Sequence, residues 1–228
     1  MLALMRTAGT RYFSADGKGF TLDSPAGIDA VQRMADLSLV DHVAPSVSQS
    51  KTLPNLETMV VNGQLAMDIN GSYNLAFFGD QHYKVGLGAL PMFAHPGNIS
   101  WTSAHVIAKG TKHAREAEEL VRSIIAQSPA LAASGAALPP LRSYYTNPAK
   151  FATWANNDRH PASFRGAVLV AETKVAGTGE MITQKNYGQL VNTIIGPGLD
   201  PVWAGKQTAR QAIAGMAAQV RPLLTGSW

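Results

Sequence analysis

The chain has 228 residues, of which 46% are hydrophobic and 15% charged, and its formal net charge is +4. This composition supports an ordinary hydrophobic core, and the scattered Lys and Arg residues form no basic stripe of the kind that binds nucleic acid. With no cysteine, the chain has no disulfides, thiolate metal sites or cysteine nucleophiles. No apolar run approaches the roughly 20 residues of a membrane span, and the amino terminus as written predicts no export signal.

The first elements are predicted by turn and cap residues. Residues 12–22 are typical of an irregular hairpin with Asp16 and Gly17 at its turn. Ser24 then caps a helix that carries Pro25 in its first turn. Apolar residues recur along this helix at the helical period, so we expect it to pack one side against a core.

The middle of the chain predicts further helices and strands. A helix starts at Pro54, and Gly63 follows where a helix ends in a left-handed conformation. Three short strands are predicted at residues 65–69, 83–90 and 104–108. The strongest helical pattern starts at His113, with glutamates in its early turns and an apolar face along its length.

After residue 128 the pattern is helical, with no convincing strand. Candidate helices lie at residues 129–134, 148–156, 161–172, 183–195 and 208–224. Thr208 and Gln211 have the spacing of a capping box for the last of these. Two glycine-containing segments, 177–179 and 196–198, are predicted to be loops between helices.

The chain shows few signs of catalytic chemistry. The metalloprotease, hydrolase, phosphate-loop and dinucleotide motifs are all absent from the sequence. The six histidines lack metal-ligand spacing. Asp68 and Asp80 are the one pair that invites comparison with a glycosidase, and the turn at Gly71 separates them. We therefore expect neither an enzyme nor a metal or cofactor site.

Three segments instead combine aromatic rings with polar groups, as a sugar site requires. They are Gly71-Ser72-Tyr73-Asn74, Ser100-Trp101-Thr102-Ser103 and the turn of residues 138–145, which contains Arg142, Tyr144 and Tyr145. Each also has a purely structural interpretation. Ser72 could cap a helix with Tyr73 half buried, Trp101 could seal the base of a strand, and Arg142 could be solvated beside a proline turn.

The order of several motifs resembles a known family. Five segments follow one another along the chain: YFSADGKGFTLDSPA, NGQLAMDINGSY, LGALP, IAKGTKHAREAEELVRSIIAQSP and VWAGKQTARQAIAGMAAQVRPLL. Each resembles a segment of the family 1 extracellular solute-binding proteins, the sugar-capturing components of bacterial ABC importers, and the order is that of their carboxy-terminal part. The resemblance covers nearly the whole chain, although each motif is loose.

The resemblance implies an α/β fold of the type II periplasmic-binding-protein class, with a helix-rich second lobe and a partial first lobe. Residues 1–82 and 128–228 would belong to the second lobe, and residues 83–127 would cross to the first. Ligand contacts in the family commonly come from the glycine turn, from the loop before the "kgSk" strand and from the segment after LPP. Carried over, these positions are Ser72, Tyr73, Asn74, Trp101, Thr102, Ser103 and Arg142.

The resemblance further implies what the protein does. It predicts binding of a carbohydrate or polyol by closure of two lobes, without a cofactor or a chemical step, and delivery to ABC-transporter membrane subunits in the periplasm. Most of the first lobe is not represented, so we expect a truncated chain. The alternative is a non-binding remnant or a self-associating protein, with the exposed first-lobe fragment pairing two copies.

Overall fold

Contacts between residues divide the chain into two compact units. The structure, a computed structural model, describes residues 1–100, 104–170, 176–178 and 184–227. One unit comprises Met1–Leu53, Leu90–Ser100 and Val175–Trp228, and the second comprises Pro54–Ala89 and Trp101–Lys174. The assignment of residues 1–82, 83–127 and 128–228 to lobes stays a prediction.

Helices make up most of the described secondary structure. In chain order the α-helices are α1 (Leu2–Thr7), α2 (Pro25–Leu39), α3 (Val47–Ser50), α4 (Leu56–Val61), α5 (Leu75–Asp80), α6 (Ala114–Ala126), α7 (Ser128–Ala133), α8 (Ser143–Thr146), α9 (Pro148–Ala155), α10 (Phe164–Val170), α11 (Tyr187–Leu190), α12 (Gly196–Trp203) and α13 (Ala209–Val220). Short 3-10 helices span Ser72–Asn74 and Arg221–Leu223, a π-helix spans Val191–Ile195, and the strands are β1 (Asn98–Ser100) and β2 (Ala176–Thr178).

The predicted hairpin and the helix that follows it are confirmed in the first unit. Phe13 and Phe20 form an antiparallel bridge, and Gly17 adopts a φ of 68° at the turn between them. The side chain of Ser24 accepts a hydrogen bond from Gly27 N and caps α2. Local polar groups therefore set both the turn and the helix start.

The core of the first unit joins segments that are far apart in sequence. Phe13, Leu22 and Val31 come from its amino-terminal part, whereas Leu190 and Ile213 come from α11 and α13. All five side chains are fully buried. Packing between distant helices thus stabilises this unit, as expected for an amphipathic helical core.

The first unit also contains a two-stranded parallel sheet. β1 pairs with β2 in the register Asn98↔Ala176, Ile99↔Gly177 and Ser100↔Thr178. The preceding chain is tied to α1, because the backbone N–H groups of Ala94 and His95 donate to Thr7 O at 2.9 and 2.8 Å. The loop predicted at 177–179 is therefore wrong at residues 177 and 178, and residue 179 lies outside the described residues. The expectation of no strand after residue 128 is also wrong.

The second unit has an aromatic core around Trp154. This buried ring lies 4.9 Å from the ring of Phe151, 5.7 Å from Phe164 and 5.7 Å from Tyr145, measured between centroids. The indole N–H donates to Tyr144 O at 3.3 Å, so its polar atom is satisfied. This cluster also buries Leu75, the first residue of α5.

The three strands predicted at residues 65–69, 83–90 and 104–108 are wrong. All three segments lie outside any helix or ladder. Val85 and Leu87 do pack against the aromatic core, so the alternation in the second segment reflects burial on one side. Met67 and Val106 are 82% and 86% exposed, so the other two segments lack a covering layer. Alternation alone does not make a strand, because a strand also needs a partner.

The helix predicted after His113 is confirmed as α6, and its apolar face is uncovered. None of its residues is buried, and Leu120, Ile124 and Ile125 are exposed. Ion pairs on its other side, such as Arg122 to Glu118 at 2.7 Å, are solvated. Tertiary contact therefore contributes little to α6, unlike the packing typical of amphipathic helices.

Most of the later helices are confirmed within a few residues. Thr208 and Gln211 form the predicted capping box of α13, with Gln211 N donating to Thr208 Oγ1 at 3.3 Å. The segment around Pro197 is helical, so the predicted loop at 196–198 is wrong. The π-helix runs directly into α12, and Pro197 lies just after this junction.

Candidate functional site

Tyr73 lies on the 3-10 turn Ser72–Asn74 of the second unit, directly before α5. The next residue, Leu75, is buried in the aromatic core and anchors the turn. The Tyr73 side chain itself is 61% exposed. The alternative in which Tyr73 is half buried and Ser72 caps a helix is wrong, because Gly71 occupies the cap position and no side-chain cap forms. An exposed ring on an anchored turn is a platform for an apolar ligand face.

A hydrogen-bond network holds this ring in place. Asn70 Oδ1 accepts from the hydroxyl of Tyr73 at 3.2 Å and from Gly71 N at 2.8 Å. The amide nitrogen of Asn70 donates to Glu57 Oε1 at 3.0 Å and to Asp68 Oδ2 at 3.2 Å. One asparagine therefore connects the ring, the turn backbone and two carboxylates.

Glu57 is the member of this network that sequence reasoning missed. It lies in the first turn of α4, whose cap is Asn55. Its Oε1 accepts hydrogen bonds from the side-chain amides of both Asn70 and Asn74. In the described part of the chain both bonds fall on this one oxygen, so Oε2 can accept from a ligand hydroxyl. The partners lie 13 and 17 residues away, which no local motif signals.

Gly71 permits the close approach of the Tyr73 ring. A Cβ at this position would overlap the ring atoms of Tyr73. The backbone of Gly71 is extended, with a φ of −75°, so glycine serves here for space and not for backbone freedom. The turn thus carries the three predicted residues Ser72, Tyr73 and Asn74. Hydrogen bonds place Glu57, Asp68 and Asn70 beside this turn.

Arg142 lies in a second segment anchored to the same aromatic core. Its carbonyl oxygen accepts from Tyr145 N at 3.0 Å as α8 begins, and its side chain is exposed. The phenol of Tyr145 donates to Pro139 O at 2.7 Å, and Lys150 Nζ lies 5.7 Å from the centroid of the Tyr144 ring. The two tyrosines are therefore engaged in packing, and the ligand role predicted for Arg142 stays a prediction.

The remaining predicted site residues, Trp101, Thr102 and Ser103, lie outside the described residues, and their role also stays a prediction. The aspartates considered as a catalytic pair have separate partners. Asp68 binds Asn70, and Asp80 forms an ion pair with Arg159 at 2.6 Å. No group of three or more metal-binding side chains occurs within the described ranges. Among these same residues, no helix has the length and apolarity needed to cross a membrane.

Known proteins share this fold. The ABC substrate-binding protein Lmo0181 of Listeria monocytogenes, solved in complex with cycloalternan, superposes with a TM-score of 0.80 at 15% identity, over 97% of this chain and 55% of that one. A solute-binding protein of Thermotoga lettingae bound with α-D-tagatose gives 0.70 at 19% identity, over 98% and 55%. The GacH receptor of Streptomyces glaucescens, solved unliganded and with acarbose, gives 0.68 at 21% identity, over 98% and 56%.

The chain therefore spans about half the length of the solved proteins it matches. At these identities the likeness shows the fold, which is the α/β type II periplasmic-binding-protein class in helix-rich form, as predicted. No curated protein matches this chain. The family model for the bacterial extracellular solute-binding proteins matches residues 1–127, more than half of the sequence. This chain belongs to the bacterial extracellular solute-binding protein family.

Proposed function

We propose that this chain binds a carbohydrate or polyol as the substrate-binding component of a bacterial ABC importer, with the periplasm as its compartment. Family membership supports a binding role for the chain. Solved proteins of this fold have been determined in complex with cycloalternan, α-D-tagatose and acarbose, all of them carbohydrate-like ligands. In this proposal the membrane subunits of an ABC transporter receive the ligand, and no bond is made or broken.

The observation that carries the proposal is the exposed ring of Tyr73 above a polar network. A sugar has an apolar ring face that stacks on an aromatic side chain, and hydroxyl edges that need hydrogen-bond partners. Tyr73 provides the flat surface, and Glu57 and Asp68 provide carboxylate oxygens beside it. Because Asn70 fixes the ring, little side-chain entropy is lost when a ligand stacks on it.

Six further residues complete the proposed contact set: Ser72, Asn74, Trp101, Thr102, Ser103 and Arg142. Ser72 and Asn74 flank the platform on the same turn. By the family resemblance, Trp101 to Ser103 and Arg142 would occupy positions from which family members commonly contact ligand. In this proposal they supply a second aromatic ring, two hydroxyls and a guanidinium that can donate to several sugar oxygens.

Isothermal titration calorimetry tests the proposal. The chain is titrated with sugars, polyols and glycerophosphodiesters, including α-D-tagatose and acarbose, and the titration is repeated with Tyr73→Ala. Tyr83→Ala is the matched control, because Tyr83 is an exposed tyrosine of the same unit whose hydroxyl donates to Val60 O at 3.3 Å. We expect binding that Tyr73→Ala weakens and Tyr83→Ala preserves. Absence of binding at millimolar ligand overturns the proposal.

A second candidate, self-association, is favoured by one observation. The apolar face of α6 includes Leu120, which is 62% exposed, together with exposed Ile124 and Ile125. A contiguous apolar face of this kind marks an interaction surface. In this alternative a second copy of the chain covers α6, and the protein functions through assembly. A dimer mass by light scattering together with no sugar binding would favour this candidate over the first.

A further inference from the structure

Two Asn-Gly pairs occur in the sequence, Asn62-Gly63 and Asn70-Gly71. In such a pair the backbone nitrogen of the glycine can attack the side-chain amide carbon of the asparagine, because glycine has no Cβ to obstruct the approach. The reaction releases ammonia and converts asparagine into aspartate or isoaspartate. The two pairs have different hydrogen bonds in the fold, and this difference identifies the reactive pair.

The pair Asn62-Gly63 is held by the backbone at the end of α4. Asn62 is the carboxy-terminal cap of this helix, and its N–H donates to Thr58 O at 3.0 Å. Gly63 N donates to Val60 O at 3.1 Å, with a left-handed φ of 70°. Attack of Gly63 N on the Asn62 side chain would break this bond at the helix end, so the fold opposes the reaction here.

The pair Asn70-Gly71 lacks such a restraint. Gly71 N donates to Oδ1 of Asn70 at 2.8 Å, and the hydrogen bonds of the described residues give it no other acceptor. The attacking nitrogen therefore already contacts the side-chain amide whose carbon it attacks, and groups held in contact need little further ordering to react. Residues 67–71 belong to no helix or ladder, and Asn70 is exposed. The backbone can thus rotate into the ring geometry, and water can reach the amide.

We propose that Asn70 is a site of spontaneous deamidation in the folded protein. Gly71 N forms a bond to Cγ of Asn70 and loses its proton to water. The bond from Cγ to Nδ2 breaks, and Nδ2 takes a proton from water and leaves as ammonia. Water then adds to either carbonyl carbon of the resulting cyclic imide and opens the ring. The product is aspartate or isoaspartate at position 70, and the N–H of Gly71 is restored.

This reaction disrupts the network that holds the Tyr73 ring. The amide nitrogen of Asn70 is the donor that binds Glu57 Oε1 at 3.0 Å and Asp68 Oδ2 at 3.2 Å. After deamidation this donor is lost, and a third carboxylate lies beside the other two, where like charges repel. Isoaspartate also adds a methylene to the backbone at the turn. Deamidation therefore releases Tyr73, and the effect of this release on sugar binding rests on the proposed function.

Mass spectrometry of the aged protein tests the site. The chain is incubated at mildly alkaline pH, once folded and once in urea, and peptides that contain each Asn-Gly pair are quantified over time. The two pairs are matched, because each asparagine follows a β-branched residue, Val61 or Ile69. We expect similar rates at the two pairs in urea.

In the folded chain Asn70 should react roughly fivefold faster than Asn62, the rate equivalent of the hydrogen bond that holds Gly63. A rate at Asn70 no greater than that at Asn62 in the folded chain overturns the proposal. So does an Asn70 that stays intact for many times its half-life in urea. Neither measurement depends on a sugar ligand.

The consequence for the site is measured with Asn70→Asp, which provides the aspartate product throughout the sample. Asn62→Asp, at the other Asn-Gly pair, is the control, and circular dichroism checks that both variants fold. We expect Asn70→Asp to weaken sugar binding roughly fivefold or more in calorimetry, and Asn62→Asp to preserve it. Equal sugar affinity of Asn70→Asp and the unmodified chain would show that deamidation leaves the Tyr73 ring in place. If no sugar binds the unmodified chain, the proposed function fails, whereas the deamidation rates still decide the modification site.

Discussion

The hydroxyl of Tyr73 donates a hydrogen bond to Asn70 Oδ1 at 3.2 Å across a turn of the chain. The same oxygen accepts from Gly71 N at 2.8 Å, so the ring and the turn backbone share one acceptor. Asn70 is in turn held by the carboxylate of Glu57. The orientation of the exposed Tyr73 ring therefore depends on Glu57 through Asn70, and each hydrogen bond can be removed separately.

Substitutions at Tyr73 separate stacking from hydrogen bonding. Tyr73→Phe keeps the ring and loses only the bond to Asn70, whereas Tyr73→Ala removes the platform. We expect Tyr73→Ala to weaken sugar binding by about 1 kcal/mol or more, roughly fivefold in Kd, and Tyr73→Phe to weaken it less. Calorimetry with a sugar that binds the unmodified chain measures both. Equal effects of the two substitutions would show that the hydroxyl, and not the ring, matters.

Substitutions at Glu57 test the positioning of the turn. Glu57→Ala leaves the amides of Asn70 and Asn74 without their shared acceptor, whereas Glu57→Gln retains an amide oxygen at that place. Each lost hydrogen bond costs about 1 kcal/mol. We expect Glu57→Ala to reduce sugar affinity about fivefold or more and Glu57→Gln to restore part of the loss. If both variants bind as the unmodified chain does, Glu57 has no positioning role.

Gly71→Ala should displace the Tyr73 ring without straining the backbone. The added Cβ overlaps the ring, while the φ of −75° is ordinary for alanine. We expect weaker sugar binding with little change in the free energy of unfolding. Gly86→Ala is the control, since a Cβ there meets no atom within 4 Å. Unchanged affinity in Gly71→Ala, measured by calorimetry, would show that the ring position is not critical.

The elements predicted correctly are those that short-range chemistry determines. Ser24 caps α2 and Thr208 caps α13 through residues only three positions away, so the pattern is contained in the local sequence. The failed strands at 65–69 and 104–108 depend on a neighbouring chain that local sequence does not specify. The strand that does form, β2, pairs with β1 across more than 70 residues, and its glycine-containing sequence is typical of a loop.

The candidate site was predictable only in part. The glycine turn and Tyr73 follow from residue types and from the family motif. Glu57 does not, because it contacts the turn from a different helix, and the helical pattern around it indicates only packing. The sequence identifies Arg142 as a guanidinium beside a proline turn. Only the structure shows that Tyr145, in the same segment, donates its hydroxyl to Pro139 O. Long-range polar contacts of this kind need the fold.

The free energy of unfolding should decrease at acid pH because of Asp16 in the hairpin turn of the first unit. Hydrogen bonds from Ser14 Oγ, at 2.5 Å, and from Lys18 N, at 3.0 Å, lower the pKa of Asp16 below its ordinary value of 3.8. A group with a lowered pKa in the folded state stabilises the fold above its unfolded pKa, and this contribution is lost as pH falls through the folded pKa.

Ser14→Ala should therefore raise the pKa of Asp16 toward 3.8. Carboxyl titration by NMR measures this pKa directly, and Ser123→Ala in α6, a helix of the second unit, is the control. We also expect the difference in urea midpoint between the unmodified chain and Ser14→Ala to narrow below about pH 3.8. An Asp16 pKa that does not change in Ser14→Ala would show that the hydroxyl does not stabilise the carboxylate.

If α6 mediates self-association, the molecular mass in solution should increase with protein concentration. Burying a Leu or Ile side chain contributes about 1.5–3 kcal/mol, so Leu120→Gln combined with Ile124→Gln should raise the dimer dissociation constant by roughly a hundredfold or more. Glu116→Gln with Ser123→Gln changes the polar side of the same helix and should leave the mass unchanged. Light scattering at micromolar concentrations measures all three proteins. A monomer in the unmodified chain, or identical behaviour of the two double variants, would contradict a role for this face, and the exposed side chains of α6 would then have no partner in a second copy.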